Sequence, residues 1–162
     1  MASSIEDLRA VMESTLTKYF ENSTLAAQTK DVSLISAVLT PDCLRYLKPA
    51  AYAESYPSIK AVETNVEYEA RMALEFAVLE ESTASILEIV IDPVKRKGSA
   101  HVEHTAKVIG RDPVVLEICW YVDFTEDGKN ISRMVKFIDT AAGSKVMESI
   151  LKQGSEESQG AS

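Results

Sequence analysis

Apolar residues recur at three- and four-residue spacing near the start of the chain, at Ile5, Leu8, Val11, Met12, Leu16, Tyr19 and Phe20. That period puts them on one face of a helix, and Ser4 stands where a side-chain oxygen can cap its first turn. Asn22-Ser-Thr is expected to break this helix and cap a short second one. A further helical run covers residues 31–39, opened by the acid Asp31, and Thr40-Pro41-Asp42 should stop it. Residues 43–57 hold Pro49, Pro57 and three tyrosines without a sustained period, which predicts a strand fragment and irregular chain suited to a cavity rim.

A helical period returns over residues 65–80. Four strand-like runs then follow at 85–92, 100–109, 114–124 and 131–139, separated by Pro93-Val-Lys-Arg-Lys-Gly98, Gly110-Arg-Asp-Pro113 and Glu126-Asp-Gly-Lys129. The last separator contains an Asp-Gly pair, the chemistry of a tight hairpin. Runs joined by such short turns predict an antiparallel meander. Their apolar character on both faces predicts that both are covered, one by helices and the other by a second subunit. A short helix over 141–152 precedes a tail, 153–162, too polar to pack and expected to be disordered. The pattern predicts one α+β domain over residues 1–152, with helices packed on a curled sheet whose concave side can hold a small molecule.

A hydrophobic share of 46% in 162 residues is enough for one sizeable core. No apolar run approaches the roughly 18 residues of a membrane span, and the first residues lack the pattern of a signal peptide, so a soluble cytoplasmic protein without membrane partners is expected. With 17 basic against 25 acidic side chains, the net charge of −8 opposes phosphate backbones, and nucleic acid is not an expected partner. Cys43 and Cys119 have no metal-ligand spacing and read as buried free thiols, Cys119 beside Ile118 and Trp120 in the core.

The only two histidines, His101 and His104, lie three apart in one strand-like run and therefore point to opposite faces. His104 shares its face with Ala100, Val102, Ala106 and Val108, an apolar wall, whereas His101 sits with Ser99, Glu103, Thr105 and Lys107. An imidazole on such a wall is either a proton-transfer group or a hydrogen-bonded core residue. In the helix after Asn65, Glu67, Arg71 and Glu75 share a polar face assigned to solvent. Glu69 falls instead within the arc of Val66, Ala70, Ala73, Phe76 and Ala77. Buried there, it would have a raised pKa suited to acid–base work; at the helix edge, it would reach water or a basic partner. Glu67 has a structural role ready, since Thr64-Asn-Val-Glu67 matches a capping box.

No phosphate-binding glycine loop, nucleophile elbow, zinc motif or His/Cys cluster competes with these residues, and no metal or cofactor is expected. Arg45 and Tyr46 are candidates to anchor an anionic or phenolic oxygen. Glu88, Glu103, Glu117 and Asp123 are assigned to an outer face with basic partners among Arg96, Lys107, Arg133 and Lys136.

The order of these elements, with Asn65-Val-Glu-Tyr68, Glu117-Ile-Cys-Trp120, and Glu126-Asp-Gly-Lys-Asn-Ile131 running into Phe137-Ile-Asp-Thr140, resembles the SnoaL-like branch of the nuclear transport factor two-like superfamily. Over about residues 5–150 the chain looks most like small fungal isomerases and cyclases, especially the tetrahydroxanthone isomerases. The resemblance implies a cone-shaped α+β barrel, dimeric through the outer sheet face, with an apolar cavity and no cofactor. It further implies a Glu and a His that isomerise an allylic alcohol and invert a neighbouring stereocentre of an aromatic polyketide. Carried across, these are Glu69 and His104, with Glu67 and His101 as second choices. Arg45, Tyr46, Tyr68, Met72, Phe76, Trp120 and Phe137 are the side chains expected to hold the substrate. A cyclase of meroterpenoid pathways and a binding or assembly module of the same fold are the alternatives.

Overall fold

The first helix does not break where its sequence offers caps. In the structure, a computed structural model that describes residues 4–161, helix α1 runs over Ile5–Thr29. Ser4 caps it as expected: its hydroxyl accepts from the Asp7 N–H, and the Asp7 carboxylate accepts from the Ser4 N–H. Beyond Phe20 the buried period continues through Ala26 and Ala27, while the Thr24 hydroxyl accepts from the Ala84 N–H instead of capping a new helix. Residues 1–3 and 162, on which the readings of the chain start and the end of the tail partly fall, lie outside the described residues.

Asp31 caps only a 3₁₀ turn, Val32–Ser36, so the run expected to be helical to residue 39 ends early. Strand β1 follows at Leu39–Lys48 and includes Thr40-Pro41-Asp42. Proline has no N–H for a ladder, and Pro41 lies where the β1 register shifts between Leu39 and Leu44. Helix α2 spans Ala50–Glu54, strand β2 Val62–Glu63 and helix α3 Asn65–Val78. Strands β3 at Leu79–Asp92, β4 at Lys97–Val108, β5 at Val114–Phe124 and β6 at Ile131–Ile138 complete the sheet. Helix α4, Thr140–Gly160, is capped by Asp139 and runs through most of the tail expected to be disordered. Ser155 and Ser158 donate to carbonyls one turn back, and Glu156 pairs with Arg111 at 3.4 Å.

The strand order is β2-β1-β6-β5-β4-β3. The meander from β3 to β6 is antiparallel, as its turns required; β1 joins β6 in parallel, which makes the sheet mixed. Register shifts in β3, between Leu79 and Glu81 and again between Ile86 and Glu88, bend its long edge so that the sheet curls without closing. The turn before β6 holds Gly128 at φ +73°, and a Cβ there would lie 2.7 Å from Met12 Cγ. Positive φ and the press of α1 both select glycine.

Met12, Leu16, Tyr19 and Phe20 of α1 pack on the concave face, against Val102, Ile118, Trp120, Val122 and Met134. The convex face stands open in the single chain: Val90, Val115, Tyr121 and Phe137 are each about half exposed. Cys119 is exposed there too, contrary to its expected burial, because strand alternation turns it away from its neighbours Ile118 and Trp120. Among the described residues, no helix is long and apolar enough to cross a membrane.

Candidate functional site

Between the concave sheet face, α1, α3 and α4 lies a cavity of about 130 Å³, partly open to solvent. Its apolar wall comes from Phe20, Ile35, Met72, Phe76, Leu116 and Ile118, among others. Against this wall stand six acidic or basic side chains that the fold brings together from five elements: Arg45 on β1, Glu63 on β2, Arg71 and Glu75 on α3, His104 on β4 and Lys136 on β6.

The strand faces resolve the histidines. His104 faces the cavity, with Nε2 3.2 Å from Ser82 Oγ. His101 lies on the convex face, 3.1 Å from Glu117, and is no cavity residue. Burial, reinforced by the charge of Lys136, pushes the His104 pKa down to about 4 and keeps the imidazole neutral near pH 7. The unfolded chain therefore takes up a proton at this residue between pH 6.5 and about 4 that the folded chain does not. The associated stability is complete above pH 6.5 and lost as pH falls towards 4. Urea unfolding is expected to show the parent losing up to roughly 3 kcal/mol more than His104→Gln across that window.

Lys136 faces the same hollow. Strand alternation aligns it with Met134 and Ile138, and its Nζ lies 5.3 Å from the centre of the Trp120 ring. No carboxylate lies within ion-pair distance of it among the described residues. Desolvation, and next the Arg71 charge, hold its pKa below the usual lysine value. Its expected place among the basic partners of the convex face is thus overturned; Lys97 takes that role for Asp123 and His101 for Glu117.

Helix α3 is rotated relative to its expected orientation. Its inward arc is centred on Tyr68, Met72 and Phe76, about 100° from the centre of the arc that holds Val66, Glu69, Ala70 and Ala73 at 100° per residue. Glu69 sits half-buried at the helix edge and does not line the cavity, so it is not placed to act there. The face assigned to solvent instead turns inward. Arg71 binds both oxygens of Glu63 at 2.8 Å and donates to Glu75 at 2.6 Å. Val66 and Leu74, of the alanine-rich face, are about three-quarters exposed. Glu67 makes the capping box with Thr64 and pairs with Lys60, its carboxyl held below the usual range by those contacts. It too is absent from the cavity.

Arg45 is buried, donating from Nη1 to the Tyr19 hydroxyl at 3.2 Å and from Nη2 to Ser36 at 3.1 Å, with its guanidinium 4.0 Å from the Tyr68 ring centre. Burial, partly offset by Arg45, raises the Tyr19 pKa to about 12, so its hydroxyl keeps its proton. Tyr68, Met72, Phe76 and Trp120 line the cavity. Phe137 does not; it alternates with Lys136 and points outward. The Tyr46 ring likewise leaves the site: it stacks 4.6 Å from the guanidinium of Arg133, while the residue still borders the cavity. Among the described residues no three His, Cys, Asp or Glu side chains cluster as metal ligands.

The arrangement supplies a neutral imidazole, a lysine amine without an acidic partner among the described residues and a carboxylate around a largely apolar hollow, the parts needed to move a proton and hold a developing oxyanion. No protein-family model and no curated protein matches the sequence. Solved structures do match. The chain superposes on the BvnE pinacolase of Penicillium brevicompactum with TM-score 0.76 at 14% identity, over 91% of this chain and 96% of that one. For an NTF2-like protein of unknown function from Burkholderia pseudomallei the values are 0.66 and 13%, over 84% and 96%. A protein described as a SnoaL-like polyketide cyclase, from Shewanella denitrificans, gives 0.63 and 13%, over 87% and 99%. At such identities the likeness speaks for the fold, and together with the curled sheet and its helix-lidded hollow it shows a SnoaL-like, nuclear transport factor two-like α+β fold.

Proposed function

We propose that the chain is a cofactor-independent isomerase of fungal secondary metabolism that moves a proton on an enolisable, polycyclic polyketide of the tetrahydroxanthone type. The observation that carries this reading is Lys136, without a carboxylate partner among the described residues, in the same hollow as the neutral His104. A substrate carbonyl next to Lys136 acidifies the C–H bonds conjugated with it. His104, on the sheet wall, takes the proton; the C–H electron pair moves into the carbonyl, and Lys136 holds the resulting enolate oxygen. Lys136 is one reason the imidazole is a weak base, so the oxyanion that offsets its charge also strengthens His104 as the proton moves. Returning the proton to another carbon of the conjugated system shifts the double bond.

Glu75 takes the place first sought at Glu69. It projects from the helix wall facing the sheet, so an exchange of proton between Glu75 and His104 across the substrate inverts a stereocentre. The likeness to a pinacolase raises a rearrangement of the carbon skeleton as a second reading. A cationic rearrangement builds positive charge, and a cavity with three basic and two acidic side chains opposes it. Product analysis with a tetrahydroxanthone-type enone separates the two: an isomer with unchanged skeleton is expected, and a changed skeleton or no turnover counts against isomerisation.

The open convex face, with Val90, Val115, Tyr121 and Phe137, is proposed to seat a second copy of the chain. Sedimentation velocity is expected to give a dimer that Tyr121→Glu converts to a monomer. A monomeric parent would exclude this pairing.

A further inference from the structure

The hydrogen-bonding groups of the cavity do not balance. Arg45, Arg71 and Lys136 face two carboxylates, Glu63 and Glu75, both bound to Arg71, and His104 is neutral. One basic side chain, Lys136, is left without an acidic partner, inside a protein whose net charge is −8. Donors are also in excess. Among the described residues Lys136 makes no hydrogen bond, the Tyr19 hydroxyl accepts from Arg45 and has no acceptor for its own proton, and Arg45 Nε and Trp120 Nε1 are buried without partners. These groups are neighbours: the Tyr19 ring lies 5.6 Å from Trp120, and Lys136 Nζ lies 5.3 Å from the same ring. Arg45 donates to the Tyr19 hydroxyl oxygen, which polarises its O–H bond.

A basic side chain without an acidic partner and a set of buried donors without acceptors both call for an acceptor, and one ligand oxygen carrying negative charge answers both. We propose that the cavity binds its small molecule as a monoanion, an ionised enol, phenol or carboxylic acid whose oxygen lies between Lys136 and the Tyr19 hydroxyl, with the rest of the molecule against the apolar wall. Tyr19 is then a specificity-determining donor. The idea rests on the reading that this cavity is the substrate site, and deepens it by naming the charge state of the ligand. It does not require turnover.

Trp120, the chain's one tryptophan, stands at the proposed oxygen site, so its fluorescence reads occupancy there. Two matched probe pairs are titrated at neutral pH: dimedone, an ionised enol, against its methyl enol ether, and salicylate against salicylamide. The parent is expected to bind at least one anion roughly 10-fold or more tightly than its neutral partner, and which pair shows it identifies enolate or carboxylate as the source. Lys136→Met is expected to abolish the preference while still binding the neutral partner, and Tyr19→Phe to reduce it several-fold. Equal affinities within both pairs, a preference that survives Lys136→Met, or no response to any probe overturns the proposal. Because only binding is read, an isomerase that works on neutral substrates fails this test and keeps its proposed reaction, whereas an anion-selective protein without turnover does the reverse.

Discussion

Lys136→Met is expected to cut turnover of an enolisable substrate by roughly 10²- to 10³-fold, the usual cost of losing an oxyanion donor, while making the protein more stable. Methionine matches the length of the lysine stem, so the wall beside Trp120 stays filled. What is removed is a half-buried basic group beside Trp120, with no carboxylate within ion-pair distance among the described residues. Replacing such a group by an apolar one is expected to add up to about 1 kcal/mol. Steady-state kinetics and urea unfolding of the same sample read both effects. Falling activity with rising stability marks a group kept for chemistry; a joint fall would mark Lys136 as structural.

His104→Gln is expected to lower kcat by roughly 10²- to 10⁴-fold, the range for a positioned acid–base group, with little change in KM. Glutamine keeps a polar end within reach of Ser82 but cannot exchange a proton near neutral pH. His101→Gln is the matched control. It removes the other imidazole from the convex face, where it pairs with Glu117, and is expected to leave the rate within about twofold. Equal losses in the two variants would show that strand position, and not the cavity, decides their effect.

Alternation along the strands made the sheet legible and half of the site with it. Two histidines three apart must diverge, and the apolar neighbours of His104 gave its direction. The same rule held the signal for Lys136, because Met134, Lys136 and Ile138 are in phase, and it placed Phe137 and Cys119 outside. Charge was weighed there ahead of phase. Helix α3 was harder, since its alanine-rich arc and its arc of Tyr68, Met72 and Phe76 both look buriable, and only docking on the sheet chooses between them. The choice rotated Glu69 to the edge and drew Arg71 and Glu75 inward. Glu63 left no periodic trace, because β2 is two residues long; it is found only through its bond to Arg71. The unbroken α1 has a similar cause: Thr24 bonds a strand sixty positions away, a partner that local sequence does not show.

Hydrogen exchange on the substrate probes the joint action of His104 and Lys136 without reference to the final product. A tetrahydroxanthone-type enone is incubated with the protein in deuterated water and followed by proton NMR at the carbons conjugated with the carbonyl. Deuterium should enter at those carbons with the parent, and at least about 100-fold more slowly with both His104→Gln and Lys136→Met. Incorporation at the parental rate in either folded variant, or none with the parent, would contradict proton transfer in this cavity.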